Sequence, residues 1–167
     1  TFGANRVVLG EFGLAAETHR LNRRAAELAR EACADFDRPG SPRFVLGCLG
    51  PGTKLPTLGH TTYDILEDSY AEQLRGLLEG GIDGIIIETC QDILQAKATL
   101  AACSRVFREA GRRLPVICQI TMETTGTMLV GTDIAAAVAI LEPFDVIDML
   151  GLNCATGPQE MSEHVRY

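Results

Sequence analysis

The sequence has no apolar run approaching the ~18 to 20 residues that span a bilayer, and its N-terminus lacks a charged segment leading into an apolar one. Neither a membrane span nor a secretory leader is expected, and the expected location is the cytoplasm. Clusters of lysine or arginine are also missing. The chain has 15 basic residues against 22 acidic ones, and its formal net charge of -7 repels phosphate backbones and anionic lipid heads. Nucleic acid and membrane surfaces are therefore excluded as expected partners. No low-complexity segment or long Pro/Gly/Ser-rich linker divides the 167 residues, so one domain is expected. The six cysteines (Cys33, Cys48, Cys90, Cys103, Cys118 and Cys154) have none of the short paired spacings of zinc fingers or thioredoxin-like motifs, and reduced thiols are expected. An initiating methionine is absent too. The chain opens on Thr1-Phe2 and stops at Tyr167 just after a helix begins, so it is expected to be a piece of something longer.

What is present is a strand-then-helix alternation repeated four times. Short continuous apolar runs predict buried parallel strands at Phe44 to Leu49, Gly84 to Ile87, Val116 to Ile120 and Val146 to Leu152. Between them lie helical patterns. Leu21, Ala25, Leu28, Ala29, Ala32 and Phe36 fall on one stripe, with charged residues largely opposite. A second helix starts near Thr61 or Thr62 and stops at Gly80-Gly81; a third runs from about Asp92, read as its N-cap, to Gly111. A fourth lies between Thr132 and Pro143, and Pro158 suits the first position of a fifth. Strand centres roughly 30 to 40 residues apart fit βα units with helical crossovers. Such repeats close into an eight-stranded barrel or remain an open doubly wound sheet. Polar or conformationally special residues end all four strands (Gly50-Pro51-Gly52, Glu88-Thr89-Cys90, Thr121-Met122-Glu123, Asn153-Cys154-Ala155), which favours a barrel with its chemistry on one rim.

Cys154 is the sharpest chemical candidate. It directly follows a strand and precedes a helix N-terminus, whose partial positive charge favours a thiolate, although buried free cysteine is common and packing is the bland alternative. Glu88 closes an apolar strand, where a carboxylate either caps the next helix or recognises a cationic group. Gly50-Pro51-Gly52 is most simply a tight turn. Cys48, Cys90 and Cys118, near strand ends, are assigned to packing, as are Cys33 and Cys103 on helices. His19, His60 and His164 are scattered and read as surface residues.

The segments TFGANR, ETHRLNRRAAELAREA, RFVLGCLGPGTK, YAEQLRGLLEGGIDGIIIETCQDILQAKA, PVICQIT, TGTMLVGT and GLNCATGP, taken in order, resemble the homocysteine-binding barrel of cobalamin-dependent methionine synthases. The resemblance implies an α/β fold: a partial TIM (β/α)8 barrel of about four βα units with parallel strands. Residues 1–167 would supply about strands 3 to 6, the first strands and the last two units being absent. It also implies a zinc ion held by three cysteines, of which Cys154 corresponds to the first, the other two lying outside this chain. Cys154 would then be both metal ligand and catalytic residue. Glu88 sits where the family binds the amino group of homocysteine, and Asn153 where a polar side chain lines that pocket. The implied reaction is methyl transfer from methylcobalamin to homocysteine, giving methionine, with cobalamin-binding and folate-binding domains in the same polypeptide and the isolated piece inactive. Two alternatives stand beside it: a cobalamin-independent homocysteine methyltransferase using betaine or S-methylmethionine, and a non-catalytic barrel fragment or scaffold.

Overall fold

The computed structural model describes all 167 residues, and in it strands and helices alternate along the chain. A short helix α1 (Arg6–Gly10) leads through a 3-10 turn into α2 (Thr18–Ala34). The order continues with β1 (Leu46–Leu49), α3 (Tyr63–Glu79), β2 (Gly84–Cys90), α4 (Ile93–Ala110), β3 (Val116–Ile120), α5 (Ile134–Leu141), β4 (Met149–Leu152) and α6 (Pro158–Val165). The strands form one sheet in the order β1-β2-β3-β4, and every neighbouring pair is parallel. Sequential order with a helix in each crossover builds the wall of a (β/α)8 barrel, whereas a doubly wound sheet reverses its order at a switch point. The chain therefore has the expected α/β architecture of four βα units of a partial barrel.

The two faces of the sheet differ. In β3, Val116, Cys118 and Ile120 are buried while Ile117 and Gln119 are only half-buried. The buried face carries the helices: an added Cβ on Gly47 would lie 3.1 Å from Leu77 and 2.8 Å from Ile82. On the other, open face stand Leu46, Cys48, Ile86, Glu88, Ile117 and Gln119, and Leu46 is still 45 % exposed. Continuous apolar runs predict cover on both sides, and here the helices cover one.

Three strands differ from their predicted bounds. β1 and β4 start later because the residues before them serve turns. The Val45 N–H donates to Asp83 Oδ2 at 2.8 Å, and the Val116 N–H donates to Asp148 Oδ2 at 2.8 Å. Arg30 and Arg113 pair with these same two carboxylates, so one device is repeated at the N-terminal ends of β2 and β4. β2 runs three residues beyond Ile87, to Cys90, through an irregularity described below.

The face that α2 buries is also not the predicted one. Thr18, Asn22 and Ala26 are buried, whereas Leu28 and Phe36 are 50 % and 62 % exposed. The cause lies on α3 and in the residue that ends it. A Cβ on Gly76 would come within 3.1 Å of Asn22 and closer still to the His19 carbonyl, and one on Gly80 would lie 2.6 Å from Ala26. Backbones that approach so closely leave room for small side chains and none for a leucine stripe.

The predicted caps Thr62 and Asp92 are in place, and Asp133 adds one that was not predicted. Thr62 accepts from the Ile65 N–H, Asp92 from Leu94 and Asp133 from Ala136, while Pro158 opens α6. The TFGANR segment docks against the end of β1. There the Gly50 N–H donates to the Phe2 carbonyl at 2.9 Å, and a Cβ on Gly50 would meet that carbonyl at 2.7 Å. Beneath it, the fully buried Tyr70 hydroxyl lies 2.8 Å from the Gly50 carbonyl and accepts from Gln95 Nε2 at 3.1 Å. The Gly50-Pro51-Gly52 segment is thus a packed turn that fixes the rim after β1.

Candidate functional site

At the C-terminal ends of β2 and β4 lie the only non-glycine residues with positive φ: Thr89 (61°), Cys154 (61°) and Ala155 (54°). A left-handed backbone at a β-branched residue is strained by about 1–3 kcal/mol and persists only where its surroundings fix it. For Thr89 the first constraint is a bulge. Ile87 pairs with Cys118 and Cys90 with Ile120, so β2 carries one extra residue in this stretch.

Asn153 supplies the second constraint. Its Oδ1 accepts the Thr89 N–H at 2.9 Å and its Nδ2 donates to Thr89 Oγ1 at 2.8 Å. The same Nδ2 lies 3.3 Å from Cys154 Sγ, and Thr89 Oγ1 lies 3.5 Å from that sulfur. Asn153 is itself anchored to the end of β3, because its N–H donates to the Ile120 carbonyl at 3.2 Å and its carbonyl accepts from Thr121 Oγ1 at 3.0 Å. The ends of β2, β3 and β4 are therefore tied into one rim, with an exposed Cys154 upon it.

Glu88 precedes Thr89 on the open face of the sheet. Cys48 Sγ, one strand away, donates to Glu88 Oε1 at 2.6 Å. Burial, and then this bond to the carboxylate, push the Cys48 thiol up to about 12, so at neutral pH it is an S–H donor. The sequence reading assigned Cys48 to packing. It belongs instead to the Glu88 side of the sheet, because side-chain alternation turns it away from the helices. Cys90, Cys103 and Cys118 do pack in the core, and burial raises all three thiols, Cys118 to about 12. The histidines stay apart: His19 pairs with Glu79 on the surface, and His60 accepts from the Leu55 N–H.

The structure brings Cys154, Asn153 and Glu88 to the same end of the sheet. It adds Thr89, which sequence reasoning placed among the strand-end residues without giving it a role; the available clue was a polar pair, Glu88-Thr89, closing an apolar strand. Both polar atoms of the Asn153 side chain are engaged by Thr89 and the Cys154 sulfur. No group of three His, Cys, Asp or Glu side chains able to hold a metal exists in the chain. Cys154 nevertheless fits a metal as one ligand of a larger set. Its sulfur is exposed and has N–H and O–H neighbours of the kind that orient a ligating thiolate.

Comparison with known proteins gives a consistent picture. The model of the family described as homocysteine S-methyltransferase matches residues 1–167. Methionine synthases of Mycobacterium leprae (strain TN) and Mycobacterium tuberculosis (strain ATCC 25618 / H37Rv) are each 50 % identical over the whole of this chain, which spans only 14 % of their length. Among solved structures, the metallated form of the homocysteine methyltransferase MmuM from Escherichia coli superimposes with a TM-score of 0.73 at 19 % identity. That match covers 92 % of this chain and 55 % of the other. The apo form of the same enzyme gives 0.69 at 21 % identity. These superpositions speak for the fold, and a share of 55 % fits an arc of about half a barrel.

Proposed function

Since this chain belongs to the homocysteine S-methyltransferase family, we propose that it forms the Cys154-bearing part of a zinc-dependent domain that methylates homocysteine to methionine within a longer polypeptide. Methylcobalamin is the methyl donor in this reading, presented by cobalamin-binding and folate-binding domains of the same polypeptide, in the cytoplasm. The single observation that carries the proposal is the Cys154 sulfur, exposed at the strand-end rim beside the segment bearing Glu88. The 50 % identity to two mycobacterial methionine synthases, of whose length the chain spans 14 %, supports methionine formation by a longer polypeptide.

Each residue then has a task. Cys154 offers one thiolate, and the remaining zinc ligands come from outside this chain. Zinc bound there supplies Lewis acidity that keeps the homocysteine sulfur in its nucleophilic, deprotonated form at neutral pH. Glu88 receives the substrate ammonium as an ion-paired hydrogen-bond acceptor. The Cys48 S–H donates to one of its oxygens and so limits the directions the carboxylate can take. Asn153 holds the rim and directs an N–H toward the Cys154 sulfur.

One thiolate does not make the site, so the 167 residues alone are inactive in this reading. The test uses the full-length protein and its Cys154→Ser variant, assayed for methionine formation from homocysteine and methylcobalamin. The proposal expects turnover by the first and at least a hundredfold less by the second, on the order of what loss of a zinc ligand does to a metal-dependent rate. Equal turnover would remove Cys154 from the mechanism.

A further inference from the structure

We infer that Thr89 is a positioning residue for the Cys154 sulfur, acting through a two-strand clasp with Asn153. The inference rests on reading Cys154 as a zinc ligand and extends it to a residue outside the proposed ligand and substrate-binding set. Thr89 stands on β2 and Cys154 just after β4, with β3 between them. The Asn153 amide bridges that gap at 2.9 and 2.8 Å, taking both the N–H and the hydroxyl oxygen of one threonine. A regular extended residue at 89 would send its N–H into the ladder and its side chain to one face. The left-handed backbone and the extra residue in β2 instead aim both groups at the same amide.

The hydroxyl has a further consequence. Its oxygen accepts from Asn153 Nδ2, which leaves its own hydrogen free to point at Cys154 Sγ, 3.5 Å away. The sulfur is then met by two donors, the Asn153 N–H and the Thr89 O–H. Cys154 and Ala155 are left-handed as well, so regular secondary structure does not fix the rotation of the sulfur. The clasp does. Partners of this kind around a metal-bound side chain orient it and strengthen binding about 10–100-fold.

Zinc affinity, measured on the full-length protein by competition with a chromophoric chelator and accompanied by its melting temperature, tests the inference. Thr89→Val keeps the branched shape and the N–H but removes the hydroxyl, and it is expected to weaken zinc binding about 10–100-fold. Thr89→Ser is expected to restore wild-type affinity, which a purely steric role would not require. Should the valine variant melt early, Asn153→Asp carries the same expectation, since it retains the acceptor for the Thr89 N–H and removes the Nδ2 donor to both Thr89 Oγ1 and Cys154 Sγ. Wild-type affinity in both Thr89→Val and Asn153→Asp overturns the clasp while Cys154→Ser still loses zinc. Wild-type affinity in Cys154→Ser overturns the metal reading itself and the inference with it.

Discussion

Replacement of Asp92 by alanine is predicted to loosen the rim beside the site. The carboxylate is fully buried and accepts three hydrogen bonds: from Leu94 N–H at 2.9 Å, Thr57 N–H at 2.8 Å and Thr57 Oγ1 at 2.7 Å. It caps α4 and holds the Pro56–Leu58 turn that follows β1. Loss of the cap costs about 1 kcal/mol. Loss of the bonds from exposed Thr57, which can turn to water, costs roughly 1–2 kcal/mol more. The total is about 2–3 kcal/mol. With a urea dependence of about 2 kcal/mol per M, the midpoint for this segment falls by roughly 1 to 1.5 M. Hydrogen exchange read by mass spectrometry on peptides covering residues 52–60 and 84–111 of the full-length protein, across a urea series, reports that midpoint directly. Asp92→Asn, which keeps one acceptor, should fall between the two. A shift for Asp92→Ala below about 0.3 M, or one equal to that of Asp92→Asn, would refute the view that the buried carboxylate organises this loop.

Two further outcomes follow from the charge and burial pattern. The hydrogen bond from Arg113, and then that from the Val116 N–H, hold the Asp148 carboxyl below its ordinary value of 3.8. A lowered folded value means stabilisation that is present above pH 3.8 and lost as pH falls through the folded value. The stability gap between wild type and Asp148→Asn, roughly 0.5–1 kcal/mol at pH 7 for a part-exposed pair, should therefore close in acid, as followed by urea midpoints at several pH values. In metal-free protein at pH 8, iodoacetamide should label Cys154 well before Cys48, whose thiol is pushed up to about 12, and before the buried Cys90, Cys103 and Cys118. Peptide mass mapping over a time course reads the order, and early labelling of Cys48 would contradict its burial beside Glu88.

Much of the fold is written in local chemistry. β3 has the predicted bounds because Val116 to Ile120 is bracketed by Pro115 and polar Thr121. The helix starts at Thr62, Asp92 and Pro158 are visible because capping is a one-residue event. The buried face of α2 was hidden, because it depends on Gly76 and Gly80 from another part of the chain, of which Gly80 had been read only as a stop and Gly76 had not been singled out. The repeated aspartates before β2 and β4 were equally hidden, although Ile82-Asp83 and Ile147-Asp148 recur in the sequence, since their meaning lies in amides of the neighbouring strand. At the site, Cys154, Glu88 and Asn153 stand out by type and position. Thr89 and Cys48 do not, because a bulge and an inward rotation appear only when the strands are paired.

The central claim concerns the Cys154 sulfur, and X-ray absorption at the zinc edge tests it most directly. In zinc-loaded full-length protein the account predicts sulfur ligands at about 2.3 Å, with one fewer in Cys154→Ser. An identical sulfur shell in the two proteins would contradict it.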